Sequence, residues 1–93
     1  MLFRSLTLGK TKEARDATAS AARYMPQRAD VHLSLGLLNY AVGDKPGALA
    51  ALQNARRLDA PNFRKRFEAV ARARPAWKSV LEDQEFLKQL FGE

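Results

Sequence analysis

The feature that most constrains the fold is a set of residues that recur at a fixed spacing of 34 positions. The recurring pairs are Gly9 and Gly43, Ala14 and Ala48, Ala17 and Ala51, Ala21 and Ala55, and Arg23 and Arg57. Apolar residues follow helical spacing along almost the whole chain, and no segment keeps the two-residue alternation of a strand. The sequence therefore predicts an all-α fold built from related helical units.

Glycine, proline and aspartate residues divide the chain into six predicted helices. The first follows Gly9 and is ended by Pro26, the second runs from Asp30 to Gly43, the third is capped by Asp44 and runs from about Pro46 to Leu58, and the fourth follows "DAPN" and is stopped by Pro75. Two short helices follow, the first anchored by Trp77, Val80 and Leu81 and the second capped by Asp83. The three aspartates are interpreted as N-caps, because a carboxylate there accepts hydrogen bonds from free backbone N–H groups. Residues 1–8 are too short for a stable helix of their own, so the chain is expected to begin within a repeat.

Composition excludes several kinds of chemistry. The 93 residues include no cysteine, which excludes disulfides and thiolate metal sites. The single histidine, His32, has no second histidine or cysteine to pair with, so we expect it to be a packing residue. No apolar run approaches the roughly 18 residues of a membrane span. The sequence therefore predicts a single non-enzymatic domain with no metal, cofactor or membrane partner, located in the cytoplasm.

Residues 29–62 resemble one complete tetratricopeptide repeat, a family whose helix pairs repeat every 34 residues. In "HLSLGLLN", Leu35 and Gly36 match the Leu-Gly pair of the family signature, whereas His32 and Asn39 stand where aromatic residues are usual. The other matching positions are Gly43 at the turn and Ala48, Leu52 and Ala55 in the second helix. The resemblance implies that small residues such as Gly36 let the helices approach closely, at a propensity cost of about 1 kcal/mol for the glycine.

The same resemblance implies an all-α solenoid of antiparallel helix pairs, wound into a right-handed superhelix and closed by C-terminal capping helices. Residues 1–28 are then a partial repeat, mainly its second helix, residues 29–62 the complete repeat, and residues 63–93 a partial repeat plus the cap. The segment "AWKSVLEDQEFLKQLFGE" is similar to the closing segment of many bacterial tetratricopeptide arrays, so the chain is expected to be the C-terminal fragment of such a protein. The residues expected to cover the last repeat are Trp77, Leu81, Phe86 and Leu90.

A peptide groove also follows from the resemblance, because the first helix of each pair lines the concave surface of such a solenoid. The matching positions are Asp30, Leu33, Ser34, Leu37, Tyr40 and Ala41 in the second helix and Arg64, Phe67, Glu68 and Ala71 in the fourth. The second helix is apolar on two sides, so one side can pack while the other binds a ligand. The alternative is that Leu33, Leu37 and Tyr40 simply pack on neighbouring helices.

The net charge of +6 is concentrated in a basic patch between positions 56 and 78. Its members are Arg56, Arg57, Arg64, Lys65, Arg66, Arg72, Arg74 and Lys78. Only Asp59 and Glu68 oppose them in that stretch, and this excess favours an acidic peptide as partner. A solvated face is the other interpretation of the patch. Nucleic acid is disfavoured, because few aromatic residues lie among the cations.

These patterns predict a non-catalytic protein-interaction scaffold that docks a peptide or a partner helix in the apolar groove, steered by the basic patch. One alternative is a C-terminal assembly or regulatory segment of a larger enzyme or multidomain protein, and another is a basic nucleic-acid-binding helical module. A homodimer is a further alternative, because Ala14, Ala17 and Ala21 of the first helix lack cover if no helix precedes it.

Overall fold

The computed structural model describes the backbone of residues 2–92 and the side chains of residues 11–74 and 77–92. Residues 2–92 form six α-helices and no strand, which confirms the prediction of an all-α chain. The helices are α1 (Leu2–Tyr24), α2 (Ala29–Ala41), α3 (Lys45–Leu58), α4 (Ala60–Ala73), α5 (Pro75–Glu82) and α6 (Gln84–Phe91).

The first helix is longer than the sequence predicts. α1 begins at Leu2 rather than after Gly9, so residues 2–8 are its first turns and not a separate short stretch. A glycine lowers helix propensity by about 1 kcal/mol against alanine, yet its N–H and C=O still take part in helical hydrogen bonds. The predicted break at Gly9 is therefore wrong, and residue 1 lies outside the described residues.

Two other helices begin earlier than predicted. α2 begins at Ala29, and Asp30 is not its N-cap but lies in the first turn, where its carboxylate pairs with Arg28 at 2.8 Å. An acidic side chain in that turn is still favourable, because it faces the positive end of the helix dipole. α4 begins at Ala60, because Pro61 fits a first turn whose N–H groups have no helical partners.

Two predicted N-caps are confirmed. The Asp44 carboxylate accepts a hydrogen bond from the Gly47 N–H at 3.0 Å at the start of α3, and Asp83 accepts from the Phe86 N–H at 3.1 Å at the start of α6. Gly43 precedes the first of these caps with a φ of 90°, a left-handed conformation that favours glycine. The turn between α2 and α3 therefore uses the residues that the sequence indicated.

α2 and α3 pack extensively on each other, and they meet at Gly36. A Cβ atom added at Gly36 would overlap the side chain of Leu52 and would lie 3.2 Å from the carbonyl oxygen of Ala48. Ala48 and Leu52 are completely buried, and Ala55 is 1% exposed. The prediction that a small residue at position 36 permits a close approach of these two helices is confirmed. Leu35, the other residue of the Leu-Gly pair, is half-buried.

The hydrophobic core lies between α2 and the four helices that follow it. Its buried residues are Leu33 and Leu37 of α2, Ala48, Leu52 and Ala55 of α3, Phe63, Phe67 and Ala71 of α4, Trp77 and Val80 of α5, and Phe86 and Leu90 of α6. Leu81 of α5 packs against this cluster, so all four residues expected to cover the last helices take part in the packing. α5 and α6 are therefore integral to the core.

α1 packs on α2 outside this core. Ala22 of α1 is buried, and Arg15 Nη1 donates a hydrogen bond to Asn39 Oδ1 of α2 at 3.5 Å. Ala14 and Ala17 are exposed, while Ala21, the third alanine expected to lack cover, is half-buried. The outer face of α1 is therefore open over two of these three alanines.

Candidate functional site

The groove predicted along α2 and α4 is closed. Leu33, Leu37 and Phe67 are buried, because residues of α5 and α6 join them in the core. The cavity beside Leu33 measures only about 10 Å³, about the space of one water molecule. The other predicted groove residues are Asp30 and Arg64, which are exposed, Ser34, Tyr40, Ala41 and Glu68, which are half-buried, and Ala71, which is buried. The prediction of an open apolar groove along Leu33, Leu37 and Phe67 is therefore wrong.

Tyr40 of α2 contacts two residues at the start of α6. Its hydroxyl donates a hydrogen bond to Asp83 Oδ2 at 2.8 Å, and its ring meets Phe86 edge to face with centroids 5.1 Å apart. Lys45 Nζ, at the start of α3, donates to the same carboxylate oxygen at 3.1 Å. Because Asp83 also accepts the Phe86 N–H, this one carboxylate connects α2, α3 and α6.

The contacts at Asp83 shift three pKa values. The Phe86 N–H, followed by the Tyr40 hydroxyl and the Lys45 ammonium, lowers the pKa of Asp83 below its ordinary value. Burial, followed by the hydrogen bond to Asp83, raises the pKa of Tyr40. The hydrogen bond to Asp83 also raises the pKa of Lys45. The carboxylate, phenol and ammonium forms that make these contacts are therefore favoured at neutral pH.

Asp83→Ala should lower the free energy of unfolding at neutral pH by about 1–2 kcal/mol, because it removes the N-cap of α6 and the acceptor for Tyr40. The folded state binds the Asp83 proton less tightly than the unfolded chain does. The contribution of Asp83 is therefore present above the ordinary aspartate pKa and is lost as the pH falls below about 4. Urea denaturation of wild type and variant at about pH 7 and about pH 3 should show a difference that narrows in acid.

Glu82→Ala is the matched control for this experiment, because Glu82 is an exposed carboxylate next to Asp83 in the chain. It should change the free energy of unfolding by less than about 0.5 kcal/mol. A difference between wild type and Asp83→Ala that stays the same at both pH values would contradict the role given to the ionised carboxylate.

The basic patch is exposed, but several of its side chains also have partners inside the protein. The pairs are Arg56 with the Leu90 carbonyl oxygen at 3.0 Å, Arg57 with Asn54 Oδ1 at 2.8 Å, Arg66 with Asp59 Oδ2 at 3.6 Å, and Arg74 over the Trp77 ring at 5.1 Å from its centroid. Lys65 and Arg72 are exposed on the outer face of α4, opposite the buried Phe67. Part of the patch therefore stabilises the fold.

A cleft of about 680 Å³ lies between α4 and α6. Its lining residues are Arg64 of α4 and Gln84, Glu85, Leu87, Lys88, Gln89 and Phe91 of α6. The Arg64 guanidinium lies over the Phe91 ring, 4.6 Å from its centroid. Leu87 and Phe91 are half-buried, while Arg64 and Lys88 are exposed. The lining therefore combines two apolar side chains with five polar or charged ones.

Sequence reasoning assigned only Arg64 of this cleft to a binding site. The periodicity of residues 84–91 indicates a capping helix, but it does not show which helix lies beside it. One sequence signal points to the missed residues. Leu87 and Phe91 directly follow Phe86 and Leu90 in the chain. They extend the apolar side of this helix beyond the two residues that are buried.

His32 is buried at the turn between α1 and α2, where its Nε2 contacts the Pro26 carbonyl oxygen at 2.9 Å. A carbonyl only accepts, so Nε2 carries the proton and donates it. The contact holds the turn against α2. Across the described residues, no group of three or more histidine, cysteine, aspartate or glutamate side chains is placed to hold a metal ion. No helix in the same part of the chain is both long enough and apolar enough to span a membrane.

No family model, curated protein or solved structure matches this chain. The class of protein is therefore defined by the fold and the cleft alone, as an all-helical chain with a net positive charge and a cleft beside its last helix.

Proposed function

We propose that this chain is a non-catalytic protein-interaction module of the tetratricopeptide-like class, and that it binds its partner in the cleft between α4 and α6. The observation that carries the proposal is the surface of that cleft. There the apolar Leu87 and Phe91 are half-exposed beside the cations Arg64 and Lys88. Covering apolar surface is favourable by roughly 25 cal/mol per Å², and the charged side chains discriminate between partners.

The helix pair formed by α2 and α3 supports the proposed class. Gly36 meets Leu52 and Ala48 so closely that no side chain fits at that position. This is the close approach that the resemblance to a tetratricopeptide repeat implies for these residues. A tightly packed pair also gives the cleft a rigid base, because α3 packs against both α4 and α6.

The internal partners of the basic patch favour a protein over a nucleic acid. Nucleic-acid binding depends mainly on cations that neutralise phosphates. Arg56 and Arg66 instead contact the Leu90 carbonyl oxygen and the Asp59 carboxylate within the chain. A cleft that combines two apolar side chains with polar and charged ones, rather than a continuous basic surface, is better suited to a folded or extended protein segment.

Site-specific photo-cross-linking tests this function. Gln84 is exposed and lines the cleft, so a photoreactive phenylalanine in its place reaches any bound partner. Lys78, exposed on α5 and outside the cleft lining, is the matched control position. We expect irradiation of cells that produce the protein to yield a discrete protein adduct from position 84 and not from position 78. Adducts of equal yield from both positions, a nucleic-acid adduct, or no adduct from position 84 would contradict the proposal.

A further inference from the structure

We propose that the ends of α1 and α3 form a second binding surface, which takes an acidic protein segment. We call it the helix-end surface and define it by Arg23, Tyr24, Met25, Arg57 and Leu58. Carboxylates of the segment contact the two arginines, while its apolar side chains cover Tyr24 and Leu58. This inference goes beyond the proposed function, because the surface shares no residue with the cleft between α4 and α6.

The helix-end surface contains every large apolar side chain that is exposed among the described residues. Tyr24 is 86% exposed, Met25 39% and Leu58 37%. None of the three belongs to the core cluster or packs against it. Burial within the chain therefore does not account for them, and an exposed tyrosine is typical of the residues that contribute most to binding at protein interfaces.

The path of the chain brings these residues to one end of the molecule. α1 leads into α2 through the short turn at residues 25–28 and runs antiparallel to it, since Arg15 contacts Asn39 near the end of α2. α2 and α3 are also antiparallel, because Asp30 near the start of α2 lines a small cavity with Asp59, which follows α3. α1 and α3 therefore end on the same side of the molecule.

The repeat places the same two kinds of residue at both helix ends. Arg23 and Arg57 are 34 positions apart, and Tyr24 and Leu58 have the same separation. Each of the two helices thus ends with an arginine followed by a large apolar residue. A segment that lies across both helix ends meets the same pair of contacts twice, which favours a partner in which acidic and apolar side chains also recur.

The two arginines are available to a partner. Arg23 is exposed and has no partner among the described residues. Arg57 is exposed as well, and its Nη2 donates a hydrogen bond to Asn54 Oδ1 at 2.8 Å. The Asn54 amide is neutral and occupies one of five N–H donors, so the guanidinium keeps its charge and most of its donors. A guanidinium binds a carboxylate through two parallel hydrogen bonds.

The carboxylates at this end of the molecule are already paired. Asp30 Oδ2 lies 2.8 Å from Arg28 Nη2, and Asp59 Oδ2 lies 3.6 Å from Arg66 Nη1. These opposite charges offset each other, so the charges of the two arginines of the helix-end surface remain in excess. The resulting field attracts an acidic segment and repels a basic one.

The kinds of side chain favour a protein over a nucleic acid. Protein interfaces are enriched in tyrosine, methionine and arginine and depleted in lysine, and the cations of the helix-end surface are both arginines. Single-stranded nucleic acid binds mainly by stacking successive bases on several aromatic side chains. The helix-end surface has one aromatic residue, Tyr24, so it does not form such a stacking platform.

Fluorescence anisotropy with three labelled synthetic peptides tests the inference. The first peptide contains two Glu-Leu pairs joined by a flexible glycine and serine linker. The second has glutamine in place of each glutamate, and the third has serine in place of each leucine. In a buffer of about 50 mM salt, the first peptide should bind the wild-type protein about tenfold more tightly than either of the others. Equal binding of the first peptide and either other peptide would overturn the chemistry assigned to the partner.

Variants of the protein provide the second part of the test. Tyr24→Ala should weaken binding of the first peptide by about tenfold and leave the urea midpoint unchanged, while Tyr24→Phe should bind within about twofold of the wild type. Arg23→Gln combined with Arg57→Gln should weaken binding by about tenfold. The matched control combines Lys65→Gln with Arg72→Gln, which removes the same charge at exposed positions on α4. It should change the affinity by less than about threefold.

Three results would overturn the inference. One is an unchanged affinity in Tyr24→Ala. Another is equal weakening by the two double variants, since binding would then follow the total charge and not the helix-end surface. The third is tighter binding of a single-stranded RNA oligonucleotide than of the first peptide. Cross-linking at position 84 reports on the cleft alone, so failure of the helix-end surface and failure of the proposed function are distinguishable.

Discussion

Phe67→Ala should lower the free energy of unfolding by about 3–5 kcal/mol. Phe67 is 0% exposed, its ring stacks on Phe63 with centroids 5.8 Å apart, and it meets Phe91 at 6.0 Å. Truncation removes these contacts and leaves a cavity between α4 and α6. Urea denaturation followed by the helical circular dichroism signal should show a large fall in the midpoint with an unchanged slope.

Phe91→Ala is the matched control, because it removes the same atoms from a half-buried position in the same ring cluster. It should cost clearly less than Phe67→Ala, since part of the Phe91 ring is already in water. A domain of this size has a total stability of roughly 5–15 kcal/mol, so the two variants should be easy to distinguish. Equal losses would contradict the burial of Phe67 beneath α6.

Leu37→Ala should destabilise the protein by about 3–5 kcal/mol, whereas Leu35→Ala on the same helix should cost less than half of that. Leu37 is 0% exposed in the core, and Leu35 is half-buried. Both substitutions change helix propensity by the same amount, so the difference between them measures burial. The midpoints of urea denaturation for the two variants give this difference directly.

The same comparison decides whether Leu37 belongs to the core or to a binding groove. A side chain that lines an open groove can be truncated with little effect on folding, whereas truncation of a core side chain leaves a cavity. A midpoint for Leu37→Ala close to that of the wild type would therefore contradict the closed groove. It would also contradict the packing of α5 and α6 onto α2.

The features that could be predicted from the sequence depend on residues that are close in the chain. Asp44 caps a helix that begins at the next residue, and Gly43 makes the turn just before it. Gly36 and its contact Leu52 lie in consecutive helices joined by that same short turn. These positions were predictable because a cap, a turn and a helical hairpin leave few alternative partners.

The helix starts at Gly9 and Asp30 were predicted wrongly for a related reason. Both predictions placed a helix start at a residue because of its own conformational preference. A propensity difference of about 1 kcal/mol or less is easily outweighed by the hydrogen bonds and packing of the rest of the helix. α1 continues through Gly9, and α2 begins one residue before Asp30. A difference of one residue, as at α2, is common at helix ends, whereas α1 begins seven residues before Gly9.

The amino-acid sequence by itself determined the helical character of the chain, the turn at Gly43 and the close pairing of α2 with α3. Only the tertiary structure decided that α5 and α6 pack onto the earlier helices, which buries Leu37 and Phe67 and forms the cleft beside Arg64. The physical reason is that α2 is apolar on two sides, and periodicity does not show which side a distant helix covers. That choice depends on how well whole helix surfaces fit together, which is a property of the packed chain and not of any short segment.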